Sequence, residues 1–157
     1  MYRMVLRHDV GGKAPDFTLK NQNGEDVKLS DHTGKHSVLL VFYLGGYDKF
    51  AVRSLNSMRE NYPVLKELNC EVIAITPELP GKVRSTVESL RLPFDVLSDS
   101  DFVVSKEFDV YNPNSNWTYP AAFLIDSSGM ILYSYRGASP PNTPHLEYII
   151  SKLRSMK

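Results

Sequence analysis

A turn between a hydrophobic segment and a helix-like segment is the place where this sequence would be expected to carry chemistry. The segment FYLGGYDKFA, residues 42–51, begins within the end of the apolar run SVLLVFYL, residues 37–44, and continues beyond it. Redox enzymes place a reactive cysteine at such a turn, because the N-terminus of the following helix lowers the pKa of a thiol. The turn contains no cysteine, and its acidic residue, Asp48, is interpreted as a helix N-cap rather than as a catalytic acid.

The single thiol of the chain lies elsewhere. Cys70 opens the apolar segment CEVIAIT, residues 70–76, and we interpret it as a small buried residue of a strand. One cysteine excludes an intramolecular disulfide and any redox mechanism that needs two cysteines on one chain. A relocated redox thiol at Cys70, or a disulfide between two chains, stays open as an alternative.

No metal and no cofactor is predicted. Each histidine is interpreted singly, as structural or solvated and without a metal-ligand spacing to another, and the four are His8, His32, His36 and His145. A site made of several cysteines, as in structural zinc proteins, is excluded by the cysteine count.

Composition describes one globular unit, which we predict to be a single domain over residues 1–157. Hydrophobic residues make up 42% of the chain, and 18 Lys and Arg balance 18 Asp and Glu. The charge balance gives no basic field that would attract nucleic acid or anionic lipid. The start of the chain shows no secretory signal and no segment reaches the length of a membrane span, so we expect a cytoplasmic protein.

Hydrophobic periodicity predicts alternating strands and helices. Residues 21–26, NQNGED, are predicted to form the loop of an N-terminal hairpin, and residues 49–69 a helix capped by Asp48. Pro63 is expected to kink or split that helix near Asn61. The further predicted strands are 37–44, 70–76, 94–99, 120–126 and 130–137, and the further predicted helices are 80–90, 101–108 and 143–156. This order predicts a mixed three-layer α/β arrangement.

Five segments in register resemble the peroxiredoxins and, more broadly, the alkyl hydroperoxide reductase / thiol-specific antioxidant (AhpC/TSA) family. They are APDFTLKNQNGEDVKLSD (14–31), VLLVFY (38–43), CEVIAIT (70–76), PFDVLSDSD (93–101) and FLIDSSG (123–129). The resemblance covers about nine-tenths of the chain. It implies a thioredoxin-like three-layer sandwich, with a mixed central sheet flanked by helices and an added N-terminal β-hairpin.

The resemblance also implies where a peroxidatic site would lie. Peroxiredoxins carry Phe-Tyr-Pro-x-x-x-Thr-Pro-x-Cys after the first core strand. Phe42 and Tyr43 match this pattern, and the four functional positions fall on Leu44, Asp48, Lys49 and Ala51. Ala51, in the cysteine position, has no nucleophile, and a carboxylate at Asp48 would disfavour a thiolate nearby. We therefore predict that this turn does not reduce hydroperoxides.

A comparison with thioredoxin-like disulfide reductases leads to the same expectation. Their Cys-x-x-Cys motif would fall on residues 47–50, where Tyr47 and Phe50 replace both cysteines. Pro120 stands where such folds place a cis-proline facing the turn, whereas many peroxiredoxins have an arginine near this position. The resemblance therefore predicts a cis bond between Tyr119 and Pro120.

Aromatic residues are expected to gather around the altered turn, either as a plug or as a contact surface. They are Tyr43, Tyr47, Phe50, Tyr111, Trp117 and Tyr119. We expect a binding or scaffold role, through an unknown protein partner or through self-association, for example as a homodimer. The alternative is a thiol-dependent antioxidant oxidoreductase that acts through Cys70 or through a remodelled pocket.

Overall fold

The computed structural model describes residues 10–141 and 143–156. Its strands are β1 (Thr18–Lys20), β2 (Asp26–Lys28), β3 (Ser37–Phe42), β4 (Cys70–Thr76), β5 (Asp95–Ser98), β6 (Tyr111–Asn112), β7 (Trp117–Thr118), β8 (Ala121–Ile125) and β9 (Ile131–Arg136). Its α-helices are α1 (Lys49–Glu67), α2 (Pro80–Leu90), α3 (Val103–Glu107) and α4 (Leu146–Ser155).

Seven strands form one mixed sheet in the order β2-β1-β5-β4-β3-β8-β9. The three central strands β3, β4 and β5 run parallel, and β8 and β9 continue the sheet antiparallel beside β3. The N-terminal hairpin of β1 and β2 joins the other side through β5. The predicted fold class, a mixed α/β sheet with an N-terminal hairpin, is confirmed.

The central strand β3 shows why the fold has three layers. All six of its residues are buried, and the side chains of the five apolar ones, from Val38 to Phe42, alternate between two hydrophobic clusters. Leu39 and Val41 face the cluster that contains buried residues of α1, α2 and α4. Leu40 and Phe42 face the cluster that contains α3 and the hairpin. A strand that is covered on both faces is uniformly apolar, as its sequence is.

Helix α1 runs without interruption over 19 residues, so the predicted split at Asn61 is wrong. Pro63 lacks a backbone N–H, but it removes only its own hydrogen bond from the helix. Leu55 and Leu65, on either side of it, are both fully buried against the sheet. This burial holds the two halves of the helix on one surface, and tertiary packing overrides the local preference.

Two further helices differ from their predicted lengths. Helix α3 has five residues, and α4 begins at Leu146 rather than at Thr143 because Pro144 lies just before it. Pro140, Thr143 and Pro144, which precede α4, therefore lie outside any helix or strand. Within the part of the chain that the structure describes, no helix has both the length and the apolar character that crossing a bilayer requires.

Candidate functional site

The turn between β3 and α1 is organised by Asp48. Its carboxylate accepts hydrogen bonds from the backbone N–H groups of Phe50 and Ala51, both at 3.3 Å, as the predicted N-cap should. Its backbone carbonyl accepts the first intrahelical bond, from Val52 N–H, at 2.9 Å. Two of the free N–H donors of the first helical turn are thereby satisfied by the chain itself. The prediction that Asp48 caps the helix is confirmed.

The glycine pair before Asp48 is required by close packing. A Cβ atom on Gly46 would overlap the hydroxyl of Thr86, and one on Gly45 would overlap the ring of Tyr47. The backbone N–H of Gly46 donates to the carboxylate of Glu78 at 3.1 Å. Since a carboxylate already occupies this amide, the glycines form a packed turn and not a loop that cradles an anion.

Ala51 lies in the first turn of α1 and is only 3% exposed. Its side chain borders a hollow with a volume of about 10 Å³, which it shares with Asp48 and Pro120. Pro140, Thr143 and Pro144, from the chain before α4, also line the hollow. A cavity of this size holds at most about one water molecule. The side chains at the turn are thus packed together by the chain itself.

Pro120 faces the turn, as predicted, but the predicted cis bond is wrong. All peptide bonds in the described residues are trans. The flanking backbone is held in place on both sides, because Tyr119 N–H donates to Val110 at 2.8 Å and Gly137 N–H donates to the carbonyl of Pro120 at 2.7 Å. The trans form of an X–Pro bond is lower in energy than the cis form, so this bond has the commoner isomer.

An open groove lies beside the closed hollow. It has a volume of about 520 Å³, and its lining includes Leu44, Tyr47, Trp117, Tyr119, Pro120 and Pro140. Tyr47 is 69% exposed, while the indole N–H of Trp117 donates to the carbonyl of Leu44 at 2.7 Å. This bond ties the β6–β7 hairpin to the turn and fixes one wall of the groove.

The predicted aromatic cluster forms only in part. Tyr43 is buried in the core, where burial, followed by the Glu78 carboxylate, raises the pKa of its hydroxyl. Phe50 does not line the groove. Its ring lies beside the cations of Lys49 and Arg53, which are 5.3 and 5.9 Å from the ring centre.

The hairpin contributes an aromatic contact that the sequence interpretation missed. Phe102 packs edge-on against Tyr111 and Trp117, with ring centres 5.2 and 5.9 Å apart. Phe102 adopts a left-handed backbone conformation, which no local signal in the sequence indicates for a phenylalanine.

Cys70 lies at the opposite end of the sheet from the turn. It pairs with Ser37 at the start of β3, whereas Phe42, at the end of β3, pairs with Ile75. Seven strand residues separate the two ends by about 20 Å. Cys70 is 1% exposed, and burial, with a contribution from the adjacent Glu71 carboxylate, raises the pKa of its thiol to about 12. The interpretation of Cys70 as a buried strand residue is confirmed.

Two of the histidines lie together, which corrects the interpretation that took them singly. His32 and His36 are four residues apart, and Nδ1 of His32 lies 2.6 Å from Nε2 of His36. Burial, followed by the charge of His32, lowers the pKa of His36. The spacing was present in the sequence and would have revealed the pair. Among the described residues, no group of three or more His, Cys, Asp and Glu is arranged to hold a metal ion.

The fold and the turn together define a thioredoxin-like protein of the peroxiredoxin type. The AhpC/TSA family model matches residues 10–134, which is most of the chain. This protein therefore belongs to the AhpC/TSA family, as the resemblance predicted.

Curated relatives carry peroxiredoxin names. The chain is 31% identical over 134 residues to Peroxiredoxin Bcp of Bacillus subtilis, a match that covers 82% of this chain and 85% of that protein. It is also 31% identical over 150 residues to Peroxiredoxin Bcp of Escherichia coli K12, covering 92% and 94%. The crystal structure of peroxidoxin BcpB from Mycobacterium tuberculosis superposes with a TM-score of 0.86 at 21% identity, covering 95% of this chain and 98% of that one. That structure supports the fold.

Proposed function

We propose that this family member acts by binding another protein and does not reduce hydroperoxides at the turn before α1. The observation that carries the proposal is the state of the only thiol. Cys70 is 1% exposed, the pKa of its thiol is raised to about 12, and it lies at the far end of the sheet from the turn. Peroxide reduction by a thiol needs an accessible thiolate, which this environment disfavours.

The turn itself supports the same proposal. The position that would carry the peroxidatic cysteine has the methyl group of Ala51, and its backbone N–H donates to the Asp48 carboxylate, which caps the helix. Neither group can form the sulfur–oxygen bond of a peroxidatic reaction. The hollow around them is closed by Pro140, Thr143 and Pro144. A substrate would find neither a nucleophile nor space.

The groove beside the hollow is the surface that we propose for binding. Exposed tyrosine and tryptophan side chains supply large contact area at low entropic cost, so they are enriched where proteins associate. Tyr47 stands out at the rim, while Trp117 is held in a fixed orientation by its bond to Leu44. A partner protein or a second copy of this chain would bury the ring of Tyr47.

A thiol-dependent antioxidant oxidoreductase is the second candidate. The names of the relatives favour it, since Peroxiredoxin Bcp of two bacteria matches most of this chain. Such an activity would have to use Cys70. Because Cys70 lies within a buried strand, strand β4 would have to open locally before the sulfur met a substrate.

Peroxide consumption distinguishes the two candidates. Hydrogen peroxide and an organic hydroperoxide are supplied with dithiothreitol, and the wild-type chain is compared with Cys70→Ser. We expect both proteins to match the rate of dithiothreitol alone. An enzymatic rate in the wild type that Cys70→Ser abolishes would replace the first candidate by the second.

Binding through the groove is tested with two tyrosine variants. Tyr47→Ser removes an exposed ring from the groove, and Tyr148→Ser removes a ring that is 53% exposed on α4, away from it. We expect a protein captured by the wild-type chain, or a dimer seen by ultracentrifugation, to be lost with Tyr47→Ser and kept with Tyr148→Ser. Equal association by both variants would contradict a role for the groove.

A further inference from the structure

The two paired histidines are held in place by the turn that precedes β3. The backbone N–H of His36 donates to the carbonyl of His32 at 3.3 Å, so the two residues close one turn of chain. Gly34, between them, donates its N–H to Ser127 at 2.6 Å, and the carbonyl of Lys35 accepts from the Asn69 side chain at 3.2 Å. The positions of the two rings are therefore set by the fold and not by a flexible loop.

The two imidazole rings are within hydrogen-bond distance of each other. Nδ1 of His32 and Nε2 of His36 are 2.6 Å apart, with ring centres at 4.9 Å and an angle of 63° between the planes. In such a contact one nitrogen donates and the other must offer a lone pair. Both side chains are partly exposed, so the pair is open to solvent. Neutral imidazole nitrogens are also the ligands that divalent transition metals prefer.

We propose that His32 and His36 form a binding site for a divalent copper ion, which takes the place of the hydrogen-bonding proton. This inference is independent of the function proposed above. It needs only that both rings turn by a few tens of degrees, so that their lone pairs point at one ion beside the present nitrogen–nitrogen contact.

The close approach of the two nitrogens and their chemistry favour copper(II). With metal–nitrogen bonds of about 2.0 Å, ligands at right angles lie about 2.8 Å apart, and ligands at the tetrahedral angle about 3.3 Å apart. The present 2.6 Å is a hydrogen-bond distance, and the turning of the rings has to widen it less for the first arrangement than for the second. Right angles suit the tetragonal geometry of copper(II) and nickel(II), whereas zinc in proteins is mostly tetrahedral. Copper(II) also binds nitrogen ligands more tightly than the other divalent ions of the first row.

The surroundings limit the strength of the site. Glu71 faces the pair, but its carboxylate already accepts hydrogen bonds from Tyr62, from Lys66 and from the Val72 N–H. The positive charges of Lys35 and Lys66 act on His36 and oppose a further cation. Water must therefore complete the coordination, and the site binds copper by its two imidazoles alone.

Copper titration of the full chain tests the proposal. Copper(II) sulfate is added to the wild-type chain and to His32→Ala, His36→Ala and His145→Ala, the last being an exposed single histidine before α4. We expect one ion per wild-type chain, affinity reduced at least tenfold in either of the first two variants, and no change in His145→Ala. Repeating the titration in Cys70→Ser removes any contribution from the thiol, and zinc is expected to bind at least tenfold more weakly than copper.

A spectroscopic measurement on the unaltered protein guards against variants that fail to fold. The electron paramagnetic resonance spectrum of the one-to-one complex is expected to show two equatorial nitrogens. A spectrum with one nitrogen, or unchanged affinity in a folded His32→Ala, would overturn the proposal and leave the two histidines as a hydrogen-bonded pair only.

Discussion

The two ends of the parallel strands β3 and β4 differ in what they expose and what they bury. At the carboxyl end, the chain places a methyl group, a capping carboxylate and a cover of prolines around a hollow of about 10 Å³. At the amino end lie the only thiol, the carboxylate of Glu71 and the histidine pair. The turn at the carboxyl end has no thiol, and the thiol at the amino end is buried.

Membership of the AhpC/TSA family does not by itself determine which residues lie at the turn before α1. The sheet and helices that position a site in the AhpC/TSA family are present, including the helix N-terminus after β3. A helix N-terminus activates a thiol only if a thiol is there, and here it is occupied by the Asp48 cap. Changes at the carboxyl end and at the amino end of strands β3 and β4 are expected to have the following effects, from the largest to the smallest.

The reactivity of Cys70 is expected to show the largest difference. Raising the pKa of the thiol from 9.0 to about 12 lowers its thiolate fraction near neutral pH. The fall is about 1000-fold at a given pH, and the rate of exchange with a disulfide falls with it. Folded protein should react with an aromatic disulfide reagent at least that much more slowly than the same chain in urea. Rapid labelling of the folded chain would show that the amino end of the sheet is open.

Overfilling the hollow is expected to destabilise the carboxyl end. Ala51→Leu adds three carbon atoms where only about 10 Å³ is free. Urea unfolding should show a loss of about 1–3 kcal/mol, since inserted methylenes force neighbouring side chains out of place. Ala138→Leu, at an exposed alanine that borders the groove, is the matched control and should change stability little. Equal stability of both variants would mean that the hollow is larger than described.

Removing the helix cap is expected to have an effect of about 1 kcal/mol. Asp48→Ala leaves the N–H groups of Phe50 and Ala51 without their acceptor, which costs about 0.5–2 kcal/mol in other proteins. Asparagine caps as well as aspartate, so Asp48→Asn should retain most of the stability. If both variants unfold at the same urea concentration as the wild type, the carboxylate does not act as a cap.

The hydrogen bond from the Trp117 indole to the Leu44 carbonyl is expected to contribute slightly less than the cap to the free energy of unfolding. Trp117→Phe keeps a ring beside Phe102 and deletes the N–H that donates to Leu44. Loss of one such bond costs about 0.5–1.5 kcal/mol, and thermal unfolding should record it. Trp117 is the only tryptophan, so quenching of its fluorescence in the wild type measures separately how open the groove is.

Glu71, at the amino end of β4, is expected to make the stability of the fold sensitive to acid. Burial alone would raise the pKa of Glu71, but hydrogen bonds from Tyr62, the Val72 N–H and Lys66 lower it below its usual 4.5. Because the folded-state pKa is the lower one, this stability is present above pH 4.5 and is lost as the pH falls through the folded value. Unfolding in urea at pH 6 and at about pH 3.5 should show a smaller acid loss for Glu71→Gln than for the wild type. Glu88→Gln, at an exposed helix position, should behave as the wild type.

The sequence by itself determined the strands of the seven-stranded sheet, most of the helices and the cap, but not the short β6–β7 hairpin. A run such as SVLLVFYL is apolar throughout because both faces of β3 are covered, and Asp48 lies one residue before α1 begins. These features depend on neighbours in the chain, so periodicity and residue type are enough to predict them. The sequence also shows directly that the turn before α1 contains no cysteine.

Only the tertiary structure decided how the two ends of the sheet are closed. Trp117 reaches Leu44 across 73 residues, and Pro144 covers Ala51 from the far end of the chain. Packing against the sheet carried α1 through Pro63, and the bond between Tyr119 and Pro120 is trans. Contacts between distant segments depend on how elements pack in space, and local sequence patterns do not record that arrangement.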